Sequence, residues 1–513
     1  MNLNTTLEEA LALAKEHKVI PVVRTLFAGN ETPLSIFEKL AADKTGSFLL
    51  ESAEQGVWAR YSFVGVNNRG SILHDSRGTR WVSATNQSPL PDAAQTLATE
   101  PLEALAQLQA AWTSKPIPGV PPLVNGLVGA IGWDMIRQIE NLPNPPKSDF
   151  EAPVLAMVMF RDLVIVDHYT SSVMLVSNIF VTDEVELNLA FEQATTRINQ
   201  MQDQLLAPAA GQLSVFDSSV EIAPEYRVDK AEFLNAVESA KHFVRIGDVF
   251  QVVLSQRFDV ECTAAPLDVY RVLRSLNPSP YMYLLNFEDE SGPYSVVGSS
   301  PEALVQVQNG KATTHPIAGS RPRGADLDAD LELAKDLVGD AKERAEHLML
   351  VDLARNDLLK VCKPDSVTVT EFMQVHRYSH IMHLVSTVEG QIRQDQSAVD
   401  VFKATFPAGT LSGAPKPRAL EIIDELEVAG RGIYGGVVGY FDFAGNADLA
   451  IAIRTAFIRN GRASVQAGAG LVLDSVAEME YQETINKAGA PLRAIATANT
   501  LQLVRASGYE TSR

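Results

Sequence analysis

The stretch AIAIRTAFIRNGRASVQAGAG, residues 450–470, alternates side-chain character on both sides of Asn460-Gly461. Asn-Gly suits a two-residue hairpin turn, whose central residues both need positive φ. The stretch therefore predicts an antiparallel hairpin. A two-residue loop would set Arg454 opposite Ala467 and Ala452 opposite Ala469. Ala450, Ala452 and Ala456 then flank Arg454 on one face. An arginine ringed by alanines leaves space above the sheet with a carboxylate clamp in it. The glycines of QAGAG, residues 466–470, let a ligand approach the backbone closely. The same pattern also fits small residues packed under a helix, with Arg454 paired to a core acid.

Working outward, residues 434–473 read as three strands joined by turns at AGNAD and RNGR. A final helix is expected from Ser475, with Glu478 three residues on, to about Ala496. Upstream, Asp229 and Glu232 look like a capping box. Phe233, Val237, Ala240 and Val244 follow on one helical face, and Gly247 stops the helix. VFQVVLSQRF is the next strand, with Phe250, Val252 and Leu254 on one face and Gln251, Ser255 and Arg257 on the other. Residues 329–360 and 417–428 read as helices. Residues 18–182 read as strands with a few helices: SFLLESA, RYSFVGV and SILHD as short strands, VLAMVMFRDLVIVDH as a pair. Residues 185–204 form a polar helix. The antiparallel joins make the fold class α+β. Three parts are expected: an N-terminal region 1–204, a Pro/Gly/Ser-containing linker 205–227, and a region 228–513.

A chain of 513 residues exceeds one small core. Its formal charge of −20 argues against nucleic acid or an anionic membrane as partner. Two cysteines, Cys262 and Cys362, cannot build a disulfide framework, which fits a reducing compartment. The N-terminus has Leu3, Leu7 and Leu11 on one helical face and lacks the pattern of a secretion signal. No apolar run is long enough for a bilayer. A cytoplasmic location is expected.

Several segments carry candidate chemistry. HPIAGSRPRG, residues 315–324, with two arginines and two glycines, looks built for an anion, yet its central residue is the inert Ala318. FPAGTLSGAPKPRALEIIDELE tempts a phosphate-loop reading, but Pro415 and Lys416 break the required spacing. Thr410 and Lys416 stay open as ligand contacts. Glu346 and Glu483 sit on two helices among apolar neighbours. Solvated glutamates are the ordinary case; if the two converged, repulsion would raise a pKa or recruit a hard cation such as Mg²⁺. His383 is a candidate acid or base, or a structural histidine.

Eleven segments, LLES, NPSPYMYLL, SSPEALV, PIAGSRPRG, EHLMLVDLARND, IMHLVSTVEG, GTLSGAPK, YGGVVGY, AIAIRTA, VQAGAGLVLDS and ETINKA, spread over residues 49–490. Together and in this order they resemble the chorismate-utilising enzymes, and among these the anthranilate synthase large-subunit family. The resemblance implies a β-sandwich core shared by two interleaved regions, with helices packed outside.

It also implies roles. Glu346 and Glu483 would hold Mg²⁺ against the ring carboxylate of chorismate. Gly319, Ser320, Tyr434, Arg454 and the backbone at Gly468, Ala469 and Gly470 match substrate contacts. Glu302 matches the acid for loss of the C4 hydroxyl, Thr410 a residue near the ring, and His383 the histidine linked to pyruvate elimination. Ser320 stands where threonine is commoner, and keeps the hydroxyl. Ser52, Pro280, Tyr281 and Met282 match a tryptophan-binding effector site.

Two absences sharpen the expectation. Relatives that aminate at C4 carry a nucleophilic lysine at the Ala318 position, and isochorismate and salicylate synthases carry a lysine base at that of Gln251. Neither lysine is present, so ammonia is expected to attack C2 directly. Aminodeoxychorismate or isochorismate synthesis, and a non-catalytic tryptophan-sensing subunit, are the competing readings. Neither cysteine segment resembles an amidotransferase nucleophile. Glutamine use is therefore expected only with a partner amidotransferase subunit, in a heterotetramer.

Overall fold

The computed structural model describes residues 5–52, 60–147, 149, 152–208, 213–377 and 381–504. Leu3, part of the expected linker and the C-terminal tail lie outside them.

Two long strands organise the molecule. Tyr61–Asp75 and Leu155–Asp167 lie antiparallel. Each was expected as two short strands. The chain keeps each continuous and bends the pair through register shifts between Gly65 and Gly70, as bulges do. Two sheets diverge from this corner. One runs from Tyr61–Asp75 through Ser47–Glu51, Tyr281–Asp289, Gly292–Ser300, Thr455–Arg459 and Arg462–Leu471 to Gln251–Glu261. The other runs from Leu155–Asp167 through Leu127–Ile131, Val437–Phe441, Ala447–Ile451, Ala303–Gln308 and Lys311–Thr314 to Ile381–Gln391. Every pairing named is antiparallel, and each sheet joins two strands from before residue 204 to five from after residue 228, so both regions build both sheets.

Phe48, Phe63, Val158, Phe160, Val296, Val438 and Phe457 fill the space between the sheets. Helices cover the outside. Pro33–Leu40, Leu187–Leu206 and Ala477–Ala498 bury Phe37, Ile198, Leu492 and Ile495 against the first sheet. Pro101–Ala111 and Ala398–Thr405 bury Leu105 and Phe402 against the second, and Lys416–Leu426 buries Ile423 beside Gln251–Glu261 at the end of the first. The fold is an α+β sandwich, as the sequence implied.

Local expectations fared unevenly. Asn460 and Gly461 both have positive φ, and Arg459 pairs with Arg462 across the turn. Asp229 occupies an N-cap position without a side-chain cap bond. Ser475 accepts from the Val472 N–H instead of capping, and the last helix starts at Ala477. Leu7 and Leu11 are exposed, whereas Ala10 is buried. Phe250 is 75% exposed and precedes the strand, while Gln251 and Ser255 are buried. The helix expected over 329–360 is two, Leu327–Gly339 and Ala341–Leu359, because Asp340 leaves the helical conformation and caps Lys342 and Glu343.

Candidate active site

The middle strand expected between residues 447 and 459 is also two strands. Ala447–Ile451 belongs to one sheet and Thr455–Arg459 to the other. The chain crosses over Ala452–Arg454, and Arg454 takes the left-handed conformation, φ 53°, to do so. Beside it runs a second crossing: Gly292–Ser300 passes through Pro301-Glu302 into Ala303–Gln308. The crossings are tied together by Ile451 N–H to Glu302 O at 2.9 Å and Ser299 N–H to Arg454 O at 3.2 Å. Glu302 and Arg454, 152 residues apart, are thereby placed side by side.

The hairpin register extrapolated to Arg454 and Ala467 fails for the same reason. The ladder ends at Ala456–Val465, so no strand of the described residues pairs that edge of Gln466–Leu471 beyond Val465. Arg454 turns away and donates from Nη1 to Lys487 O at 2.5 Å. Lys487 Nζ reaches Gly468 O at 3.1 Å and Glu483 Oε1 at 2.6 Å. The small residues here are required: a Cβ on Gly468 would lie 2.7 Å from the Tyr434 hydroxyl, and one on Gly470 would lie 2.6 Å from Gln251 Nε2. Ala469 is wholly buried opposite Leu254, so its side chain belongs to the core.

Glu302 lines a cavity of about 60 Å³ with Leu350, Leu353, Gly409 and Thr410. Thr410 Oγ1 donates to Glu302 Oε1 at 2.9 Å. Burial pushes the Glu302 carboxyl up to about 7, against the opposing pull of Thr410 and the Lys487 ammonium. Helix Ala341–Leu359 brings Glu346 toward helix Ala477–Ala498. Burial raises the Glu346 pKa, and Glu343 and Glu483 raise it further, against Lys342 and Lys487. Arg454 in turn lies within electrostatic reach of Tyr434 and Glu483. Glu302, Thr410, Tyr434, Arg454, Gly468, Glu346 and Glu483 thus converge. Lys487 stands among them, and sequence reasoning missed it. Its signal was the i,i+4 spacing from Glu483.

His383 pairs with Ser320 across a strand ladder, and its Nδ1 lies 3.0 Å from Gly319 O. A carbonyl only accepts, so Nδ1 carries the proton and Nε2 is the acceptor nitrogen. Burial lowers the His383 pKa and favours the neutral ring. Gly319 has φ 71°, and a Cβ there would lie 2.9 Å from Glu343 Oε2. This strand therefore abuts the helix that carries Glu346. Ser320 is exposed. Ala318 is 8% exposed opposite Leu384.

The arginines that made HPIAGSRPRG look built for an anion serve the fold. Arg321 pairs with Asp336, Asp340 and Glu343, and Arg323 with Asp330. Lys416 is likewise bound to Asp357 at 2.6 Å and to Thr405 O.

Ser52, Pro280, Tyr281 and Met282 line a second cavity, of about 520 Å³, together with Tyr440 and Asp448. Tyr281 donates to Asp448 at 3.0 Å, and burial pushes the Asp448 carboxyl up to about 6. Ser52 Oγ is buried with no partner among the described residues. Asp448 and Tyr440 were not read from the sequence, because neither stands in a recognisable spacing with Ser52.

The profile of the chorismate binding enzymes matches residues 45–493. The chain belongs to the chorismate-binding enzyme family. Anthranilate synthase component 1 of Arthrobacter globiformis is 49% identical over 96% of this chain and 93% of its own. Among solved chorismate-binding enzymes, anthranilate synthase component I from Streptococcus pneumoniae TIGR4 superposes with a TM-score of 0.75 at 35% identity, covering 91% of this chain and 99% of its own. MenF, the menaquinone-specific isochorismate synthase from Escherichia coli, superposes with a TM-score of 0.64 at 20% identity over 96% and 98%, a likeness of fold alone. No helix among the described residues is long and apolar enough to cross a membrane.

Proposed function

We propose that the chain converts chorismate and ammonia to anthranilate and pyruvate, as the large subunit of an anthranilate synthase. The observation that carries this is the pair of crossings that puts Glu302 beside Arg454, in a chain whose full-length relatives are component 1 proteins.

Arg454, Tyr434 and Lys487 bind and orient the carboxylates of the substrate against the unpaired edge at Gly468 and Gly470. Glu302, protonated below about pH 7, donates to the C4 hydroxyl, which leaves as water while the ammonia lone pair forms the bond at C2. Thr410 holds that carboxyl in place. In the second step the C2 proton is removed, the ring aromatises, and the bond from C3 to the enolpyruvyl oxygen breaks, giving pyruvate. His383, neutral and with Nε2 as acceptor, takes the proton. Ala318 offers no amine for a covalent ring adduct.

Mg²⁺ fits the acidic pair, because burial, Glu343 and Glu483 all raise the Glu346 pKa, and hard oxygen donors in such a setting favour a hard cation. Glu346 and Glu483 would hold it, and it would neutralise the ring carboxylate. Ammonia from glutamine would need a partner amidotransferase subunit in a heterotetramer. Both cysteines of this chain are buried, with thiols pushed up to about 11. The second cavity, with its aromatic wall and buried carboxylate, suits L-tryptophan as a feedback inhibitor. Incubating the purified chain with chorismate, Mg²⁺ and an ammonium salt tests the reading: anthranilate fluorescence supports it, and isochorismate or no consumption refutes it.

A further inference from the structure

Arg431 is 1% exposed, and its guanidinium is fully engaged with the walls of the site. Nε and Nη2 fork onto the two Glu427 oxygens at 2.9 and 2.7 Å. Nη1 donates to Leu411 O at 2.7 Å and Nη2 to Val253 O at 2.8 Å. The Arg431 Cζ lies over two rings, 4.1 Å from the Trp133 centroid and 5.5 Å from that of Tyr434. Glu427 Oε1 also accepts from Ser255 N–H and Oγ, both at 2.8 Å.

A buried ion pair is a poor source of stability, since desolvation offsets most of the attraction. What this pair does is geometric. Leu411 follows Thr410, whose hydroxyl holds Glu302. Val253 and Ser255 lie on the strand that faces Gly470 and Gly468. The Tyr434 ring, stacked on the guanidinium, carries the hydroxyl that abuts Gly468. Three separate walls of the active site meet on one planar group, which lysine cannot imitate.

We infer that Arg431, clamped by Glu427, is a positioning residue for the reaction, setting Thr410, Tyr434 and the Gln251–Glu261 strand to one another. The inference rests on the proposed chorismate reaction, so wild-type turnover is measured beside every variant. Arg431→Lys, Thr410→Val and the double variant are compared at saturating chorismate and ammonia, after circular dichroism confirms folding. Arg431→Lys should lower kcat roughly 10- to 100-fold while KM for chorismate moves less. Because Arg431 acts in part through Thr410, the double variant should lose less than the product of the single losses. Glu427→Gln, which keeps the shape and weakens the fork, carries the same cycle where Arg431→Lys does not fold, and should likewise be non-additive with Thr410→Val. Independent losses in the cycle, or normal kcat in folded Arg431→Lys, overturn the inference. An inactive wild type overturns the chorismate reading instead.

Discussion

The Thr410 hydroxyl donates to Glu302 Oε1 at 2.9 Å, and the same carboxyl is pushed by burial up to about 7. The bond favours the ionised form, so it holds the pKa below where burial alone would put it. In the proposed reaction Glu302 acts as an acid, so kcat/KM at constant free ammonia should fall as pH rises through about 7. Thr410→Val removes a bond that lowers the pKa and should move that alkaline limb to higher pH. Glu302→Gln should lower kcat by roughly 10²- to 10⁴-fold and erase the limb. An unmoved limb in both variants would assign it to another group.

Glu346 and Glu483 each supply one negative charge to the proposed divalent site. Glu346→Gln and Glu483→Gln should each abolish turnover and weaken Mg²⁺ binding measured by calorimetry, with circular dichroism unchanged. Retained Mg²⁺ dependence in both variants would move the metal elsewhere.

The cavity that holds Ser52, Pro280, Tyr281 and Met282 is distinct from the one at Glu302. Ser52→Phe, and variants at Pro280 or Met282, should lose inhibition by tryptophan and keep catalysis. The expected loss is about five- to 150-fold in tryptophan affinity, a coupling of about 1–3 kcal/mol. Normal inhibition in these variants, or tryptophan acting only by occupying the Arg454 site, would overturn the assignment.

His383 has its Nδ1 fixed on Gly319 O, which orients Nε2 for one task. His383→Met should slow pyruvate loss more than amination, so an aminated, enolpyruvyl-bearing intermediate should accumulate in quenched reactions and separate by chromatography. If chorismate is not consumed, the histidine serves the first step or the fold; normal anthranilate formation makes it structural.

The lone chain should use ammonia and not glutamine, because Cys262 and Cys362 are buried thiols pushed up to about 11 and thus far from reactive thiolates. Anthranilate formed from glutamine by the isolated chain would overturn this.

The sequence by itself determined the α+β class, the Asn460-Gly461 hairpin, most helices, and the residues to watch. Turn chemistry and side-chain alternation act within a few residues, so they are written locally. It could not show that the strand through Arg454 leaves one sheet for the other, since alternation reports the faces of a strand and not the sheet it joins. That crossing decided the site. It took Arg454 out of the ladder, opened the edge at Gly468 to Lys487, and set Arg454 beside Glu302. Tertiary structure also bound Arg321, Arg323 and Lys416 to acids that no motif joined to them, and set Glu302 on a hydroxyl 108 residues away. Burial then raised the Glu302 pKa, because the desolvation of a carboxyl depends on the packed surroundings that only the folded chain supplies.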